Sequence, residues 1–116
     1  MRTYKRADRV AELIQADTVK ILRDIKELDK GLLTVTRVKL TDDLQTCRIF
    51  YSVIGTDADK KNADTVLKEK LKQIRYQLAN TMDLRRVPTI EFVYDDSAEK
   101  AEKVFEILEK IKSEEK

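Results

Sequence analysis

The stretch Leu84-Arg85-Arg86-Val87-Pro88-Thr89-Ile90-Glu91-Phe92-Val93-Tyr94-Asp95-Asp96-Ser97 decides how this chain folds, because one register runs through several structural signals. Pro88 is the only proline, and its ring biases Val87 away from helix toward extended geometry. A helix therefore ends ahead of it. Thr89 to Tyr94 alternates polar and apolar residues, the two-residue period of a half-buried strand. Asp96 and Glu99 then stand at capping-box spacing. They precede Ala101, Val104, Phe105, Leu108 and Ile111, the apolar stripe of a last helix.

Working outward, Val66, Leu67, Leu71, Ile74, Leu78 and Met82 mark the long helix that Pro88 ends, and Gly55 to Asn62 reads as a polar loop before it. Leu33 to Leu40 is β-branched and predicts a strand. Asp42-Asp43 supplies a turn and Thr46 to Ile54 a second strand, so the two form a hairpin. Val10, Leu13, Ile14, Ile21, Leu22, Ile25 and Leu28 recur at helical spacing, which predicts a first helix from about Ala7 to Leu28, with Gly31 as its stop. The order is αββαβα, an α+β arrangement of helices on a three-stranded sheet.

The 116 residues fit one domain. Histidine is absent, which excludes Ser-His-Asp, Cys-His and histidine-ligated metal sites. The two glycines, Gly31 and Gly55, are too far apart for a P-loop, a GxGxxG turn or a GxxG clamp. The single cysteine, Cys47, forms neither an intramolecular disulfide nor a zinc cluster, and without a signal peptide it suits a reducing cytoplasm. The charged stretch at the C-terminus is expected to fray from the last helix.

Net charge is +2, but it is the remainder of two opposed regions: residues 1–88 carry +6 and residues 89–116 carry −4. Lys68, Lys72 and Arg75 fall at i, i+4 and i+7, one stripe beside the apolar face of the second long helix. Arg2, Arg6 and Arg9 repeat that spacing at the N-terminus, and Arg85 and Arg86 occupy the turn before Pro88. A polyanion rewards such a stripe, because each neutralised phosphate releases condensed counterions. The competing reading is a solvated helix face, common in a chain with 40% charged residues. Tyr4 and Tyr76 are expected to pack rather than stack on bases, and Tyr51, Phe92 and Tyr94 to serve the core.

Candidate catalytic groups are few. Asp42-Asp43 and Asp95-Asp96 are carboxylate pairs with the chemistry for magnesium or acid–base work. Both sit at turn or cap positions, so a structural use is the expectation. Cys47 stands beside Arg48 with no base to activate it.

The pattern Leu84-Arg85-x-Val87-Pro88-x-Ile90-x-Phe92-x-Tyr94-Asp95-Asp96-Ser97 resembles the closing signature of bacterial ribosome-binding factor A. Arg6-x-x-Arg9-Val10-Ala11-x-x-Ile14 resembles that family's first helix, and Leu33-Thr34-Val35-Thr36-x-Val38 with Asp43-Leu44 its first strand and turn. Tyr51-x-x-x-Gly55 and Ile74-Arg75-x-x-Leu78 also match. The resemblance implies a single type II KH-like domain, ordered αββααβ and followed by a C-terminal helix, with helices packed on one face of a three-stranded sheet. It covers residues 1–112, leaving 113–116 as a frayed charged tail. It further implies a non-enzymatic, cytoplasmic, monomeric factor without cofactors. Such a factor binds the free 30S subunit and 16S rRNA, assists late 16S rRNA maturation including cold adaptation, and is displaced by a maturation GTPase.

Where the family kinks its second helix at Ala-x-Gly, this chain reads Lys70-Leu71-Lys72, so that helix is either kinked or continuous. The family's Asp-Pro-Arg after the first helix is replaced by Glu27-Leu28-Asp29-Lys30. The resulting expectation is an RNA face built from Arg2, Lys5, Arg6, Arg9, Lys68, Lys70, Lys72, Arg75, Arg85 and Arg86, with Gly55, Pro88, Asp95, Asp96 and Ser97 as structural motif residues. The alternative is a protein-interaction module, meeting ribosomal proteins or other partners through the sheet or the acidic last helix, with no direct RNA contact.

Overall fold

The computed structural model describes residues 6–28, 31–82 and 87–114. Helix α1 (Arg6–Arg23) leads through a short 3-10 turn (Lys26–Leu28) into strands β1 (Leu32–Leu40) and β2 (Thr46–Ile54). Helices α2 (Asp57–Glu69) and α3 (Leu71–Met82) follow, then β3 (Thr89–Tyr94) and α4 (Ser97–Glu114). The sheet order is β1-β2-β3. β1 and β2 pair antiparallel as a hairpin, and β3 returns parallel to β2 after the α2–α3 crossover. The three strands thus occupy the segments expected of them, with β1 starting one residue earlier.

The core lies between one sheet face and helices α1 to α3. Cys47, Ile49, Tyr51 and Val53 alternate inward from β2, joined by Ile90 of β3, and meet Ile14, Leu22, Leu67, Ile74 and Leu78. Burial along α1 runs Ala7, Ala11, Ile14, Thr18 and Leu22, one helical face. Leu13, expected inside, is 60% exposed. Ala7, Ala11 and Thr18 share the buried face with Ile14 and Leu22, and hydropathy alone undervalues such small and polar residues. Thr18 is fully buried, and its hydroxyl has no hydrogen-bond partner among the described residues.

Three further expectations change. The segment after Gly55 is helical from Asp57, because Thr56 and Asp59 form a capping box in which each side chain accepts the other's backbone N–H. This turn is polar throughout and so carries no apolar periodicity. Gly55 is required by closeness: a Cβ there would stand 2.5 Å from the Asp59 carboxylate. The expected box at Asp96 and Glu99 does not form. The Asp95 carboxylate instead accepts the Ser97 N–H and hydroxyl, while Glu99 accepts from Tyr94 and Lys60.

The third change concerns α4, whose residues 100–113 are all exposed, including Val104, Phe105, Ile107, Leu108 and Ile111 at 49–63%. The helix projects from the body instead of joining α1 to α3 on the sheet. The radius of gyration is accordingly 17.4 Å, against about 13 Å for a compact chain of this length. The helix also runs through Glu114, two residues into the expected frayed tail.

Candidate nucleic-acid interface

The second long helix is broken. Lys70 caps α2 with φ −99° and ψ 8°, its N–H donates to Val66 O and its carbonyl accepts from Ile74 N–H. Lys68 therefore belongs to α2, while Lys72 and Arg75 belong to α3, and the single straight stripe becomes two helical segments. Buried Leu67, Ile74 and Leu78 fix which side of each segment faces the core. Lys72 and Tyr76 lie two residues from Ile74 on either side, which turns both toward solvent on one line of α3.

The cations differ sharply in what they touch. Lys72 is exposed and has no ion pair among the described residues. Lys68 is exposed and stands 3.1 Å from Asp64 one turn back, a solvent-screened pair worth about 0.3–0.5 kcal/mol that a phosphate readily replaces. The Lys70 side chain is only 29% exposed and leans on Glu27, 3.7 Å away on the 3-10 turn. Arg75 is a staple: Nε donates to Pro88 O at 3.1 Å and Nη2 to Val87 O at 2.9 Å. It thereby ties α3 to the chain entering β3. Arg6 and Arg9 are exposed on α1, opposite the buried Ala7 and Ala11. Arg2, Lys5, Arg85 and Arg86 lie outside the described residues.

Tyr76 corrects the expectation that it packs: it is 68% exposed. With Lys72, Arg75, Ala79 and Val87 it lines a shallow groove of about 430 Å³. The α3 sequence contains no acidic residue. A flat aromatic side chain beside an exposed lysine on an acid-free helix can stack a base and hold its phosphate, and stacking contributes about 1–3 kcal/mol per base. The helical wheel around Ile74 and Leu78 contains this signal, because it sets Tyr76 opposite the buried side.

Asp43, Asp95 and Asp96 each engage a neighbouring side chain or backbone group. Asp43 accepts from Thr41 Oγ1 at 2.6 Å and from Gln45 N–H at 3.1 Å, and these bonds lower its pKa, the hydroxyl first. Asp95 accepts from Ser97 and, at 2.7 Å, from Thr36 of β1, and its pKa falls to about 2, the Ser97 hydroxyl contributing most. Asp96 pairs with Lys100 at 3.5 Å. Cys47 is fully buried in β2, and burial pushes its thiol up to about 11, so it stays protonated at neutral pH. Among the described residues, no group of three or more carboxylate or thiol side chains converges as a metal site. None of their helices is long and apolar enough to cross a membrane.

Fold and site define a small α+β domain that presents cations and one exposed tyrosine on a helix opposite its core. Residues 6–108 match the family model for ribosome-binding factor A. The protein from Trichlorobacter lovleyi is 37% identical over 109 residues, 93% of this chain and 89% of its own. That from Thermodesulfovibrio yellowstonii is 34% identical over 113 residues, 97% and 95% respectively. The chain belongs to the ribosome-binding factor A family. In structure it is similar to a Thermotoga maritima protein described as a putative ribosome-binding factor A, with a TM-score of 0.69 at 24% identity over 84% of this chain and 93% of that one. It is also similar to a Thermus thermophilus ribosome-binding factor A homology model fitted into a cryo-EM map of a 30S complex. The TM-score there is 0.66 at 18% identity, over 76% of this chain and 93% of that one.

Proposed function

We propose that this protein is a ribosome assembly factor that binds the free 30S subunit through 16S rRNA and assists late rRNA maturation, including in the cold. It acts in the cytoplasm as a single copy and is released by a maturation GTPase. Family membership supports this reading, as does the order αββααβ before α4, which we take as a type II KH-like domain. The observation that carries it is the acid-free outer face of α3, with Lys72 and Tyr76 turned away from the core. No bond is made or broken in this mechanism. Binding free energy favours the rRNA conformation that fits the face, by the difference in affinity between two conformers. Lys68, Lys72, Arg6 and Arg9 meet phosphates, Tyr76 stacks, and Arg75, Gly55, Pro88 and Asp95 hold the face in place.

The test is co-sedimentation with 30S particles as a function of salt. Retention falls between 50 and 200 mM salt, as phosphate contacts require. The pair Lys68→Glu with Lys72→Glu abolishes retention without changing the circular dichroism spectrum. Retention independent of salt, or unchanged by the double substitution, refutes the reading. A second reading has its own observation: the exposed stripe Val104, Phe105, Ile107, Leu108 and Ile111 of α4 suits a protein-interaction module. Loss of 30S retention in Phe105→Glu alone would favour it.

A further inference from the structure

β1 is an edge strand: it pairs with β2, and its other side pairs with no strand among the described residues. An open edge is a template for another strand, and proteins protect such edges with bulges and charged side chains. Here the protection covers half the strand. The register slips between Val35 and Arg37, so Thr36 forms a bulge, held by its hydroxyl donating to Asp95. Arg37, stacked 4.1 Å over Phe50, and Lys39 follow as exposed cations. The preceding residues, Leu32 to Val35, contain no charge, no proline and no bulge.

That unprotected half borders a groove of about 500 Å³ between α1 and the strand. Its apolar wall comes from Val19, Leu22, Leu28, Leu33 and Val35, and among the described residues its one charged lining residue is Arg23. Val19, Leu33 and Val35 are only half-buried, so the core is incompletely covered there. On the opposite sheet face, Leu32 and its cross-strand partner Ile54 are 61% and 70% exposed. A strand edge that pairs with no described strand and apolar surface on both faces therefore coincide at the same four residues.

We propose that this edge is a peptide-docking site that takes an extended, alternately apolar segment of a partner protein, with an acidic residue reaching Arg23. An added strand would lie about 4.8 Å from β1, and every second side chain would point into the groove. The volume falls within the 300–1,000 Å³ usual for binding pockets. A second copy of β1 fits less well. Antiparallel self-pairing carries Arg37 of one copy toward the start of β1 in the other, where Arg23 already stands, and sets cation against cation.

The experiment is an amide NMR titration of the full chain with the blocked peptide Asp-Val-Thr-Val-Thr-Val-Thr-Asp, whose two acidic ends serve either strand direction. Shifts concentrate at Val19, Leu22, Arg23 and residues 31–35. Val19→Glu abolishes them. Arg23→Glu weakens binding by about fivefold, the upper range of an exposed ion pair, and improves a lysine-ended version of the peptide by a similar factor. No shifts at millimolar peptide, shifts centred on Lys72 to Ala79, or equal binding of both peptides by wild type and Arg23→Glu would overturn the proposal. A concentration-dependent dimer in the absence of peptide, protecting the same β1 amides, would assign the edge to a second copy instead.

Discussion

Arg75 separates two uses of a cation that charge counting treats as one. Its guanidinium makes two hydrogen bonds to the carbonyls of Val87 and Pro88, holding the chain as it leaves the α3 side and enters β3. Hydrogen bonds to charged groups contribute about 1.5–3 kcal/mol each, and a lysine at the same place cannot reproduce the fork. Arg75→Lys keeps the charge and loses one of the two bonds, so stability falls by about 1.5 kcal/mol, or about 6 °C in Tm. Binding to a labelled single-stranded RNA stays within twofold of wild type. Lys72→Gln gives the reverse pattern. Stability changes by less than about 0.5 kcal/mol, while the slope of log affinity against log salt shrinks by about 0.7. Urea melts followed by circular dichroism and anisotropy titrations between 50 and 200 mM salt measure both quantities on the same samples. If Arg75→Lys melts like wild type and Lys72→Gln matches it in RNA affinity, the division between staple and phosphate partner is wrong.

Thr18 buries a hydroxyl that has no partner among the described residues, so Thr18→Val should raise stability by about 1 kcal/mol in a urea melt, since the apolar isostere removes the desolvation cost. Gly55→Ala forces the Asp59 carboxylate off the Thr56 N–H, because the new Cβ would sit 2.5 Å from Asp59 Oδ2. The loss should be about 1 kcal/mol, with amide exchange accelerated in the first turn of α2. The Asp95 carboxyl, held at about 2 by Ser97 and Thr36, contributes stability that is fully present above its ordinary range near pH 4 and is lost as pH falls through 2. The stability gap between wild type and Asp95→Ala should be constant from about pH 5 to 7, narrow between about pH 4 and 2 and close below about pH 2; a gap as wide at pH 2 as at pH 7 contradicts the hydrogen-bonded carboxylate.

The strands were legible because each carries its own pattern. Cys47, Ile49, Tyr51 and Val53 alternate, and Pro88 marks where β3 must begin. The helices were legible where large apolar residues do the packing, as at Leu67, Ile74 and Leu78, and illegible where small ones do. Ala7, Ala11 and Thr18 complete the buried side of α1 that Ile14 and Leu22 mark, while Leu13 is left in water. The first turn of α2 was invisible to periodicity because its cap, not its packing, starts it. In the candidate site, the positions of Lys72 and Tyr76 follow from the helical wheel. The commitments of Lys70 to Glu27 and of Arg75 to two carbonyls are tertiary facts that spacing does not encode. The α4 stripe misled for the opposite reason: its periodicity is correct for a packed helix, and nothing in periodicity states whether the partner is within the chain.

The break at Lys70 shows why a small residue is not needed there. With φ −99° and ψ 8°, Lys70 lies in the bridge region, open to any L-residue, whereas a left-handed conformation would have called for glycine. Its N–H and carbonyl both remain hydrogen-bonded, to Val66 and Ile74, so the change of direction leaves neither group unsatisfied. The side chain then joins the break to the 3-10 turn through Glu27. Lysine at this position therefore anchors the break on its inner side, while Lys68 and Lys72, two residues away in either direction, remain outside. The three lysines that look equivalent in sequence divide into one that positions the helices and two that face solvent.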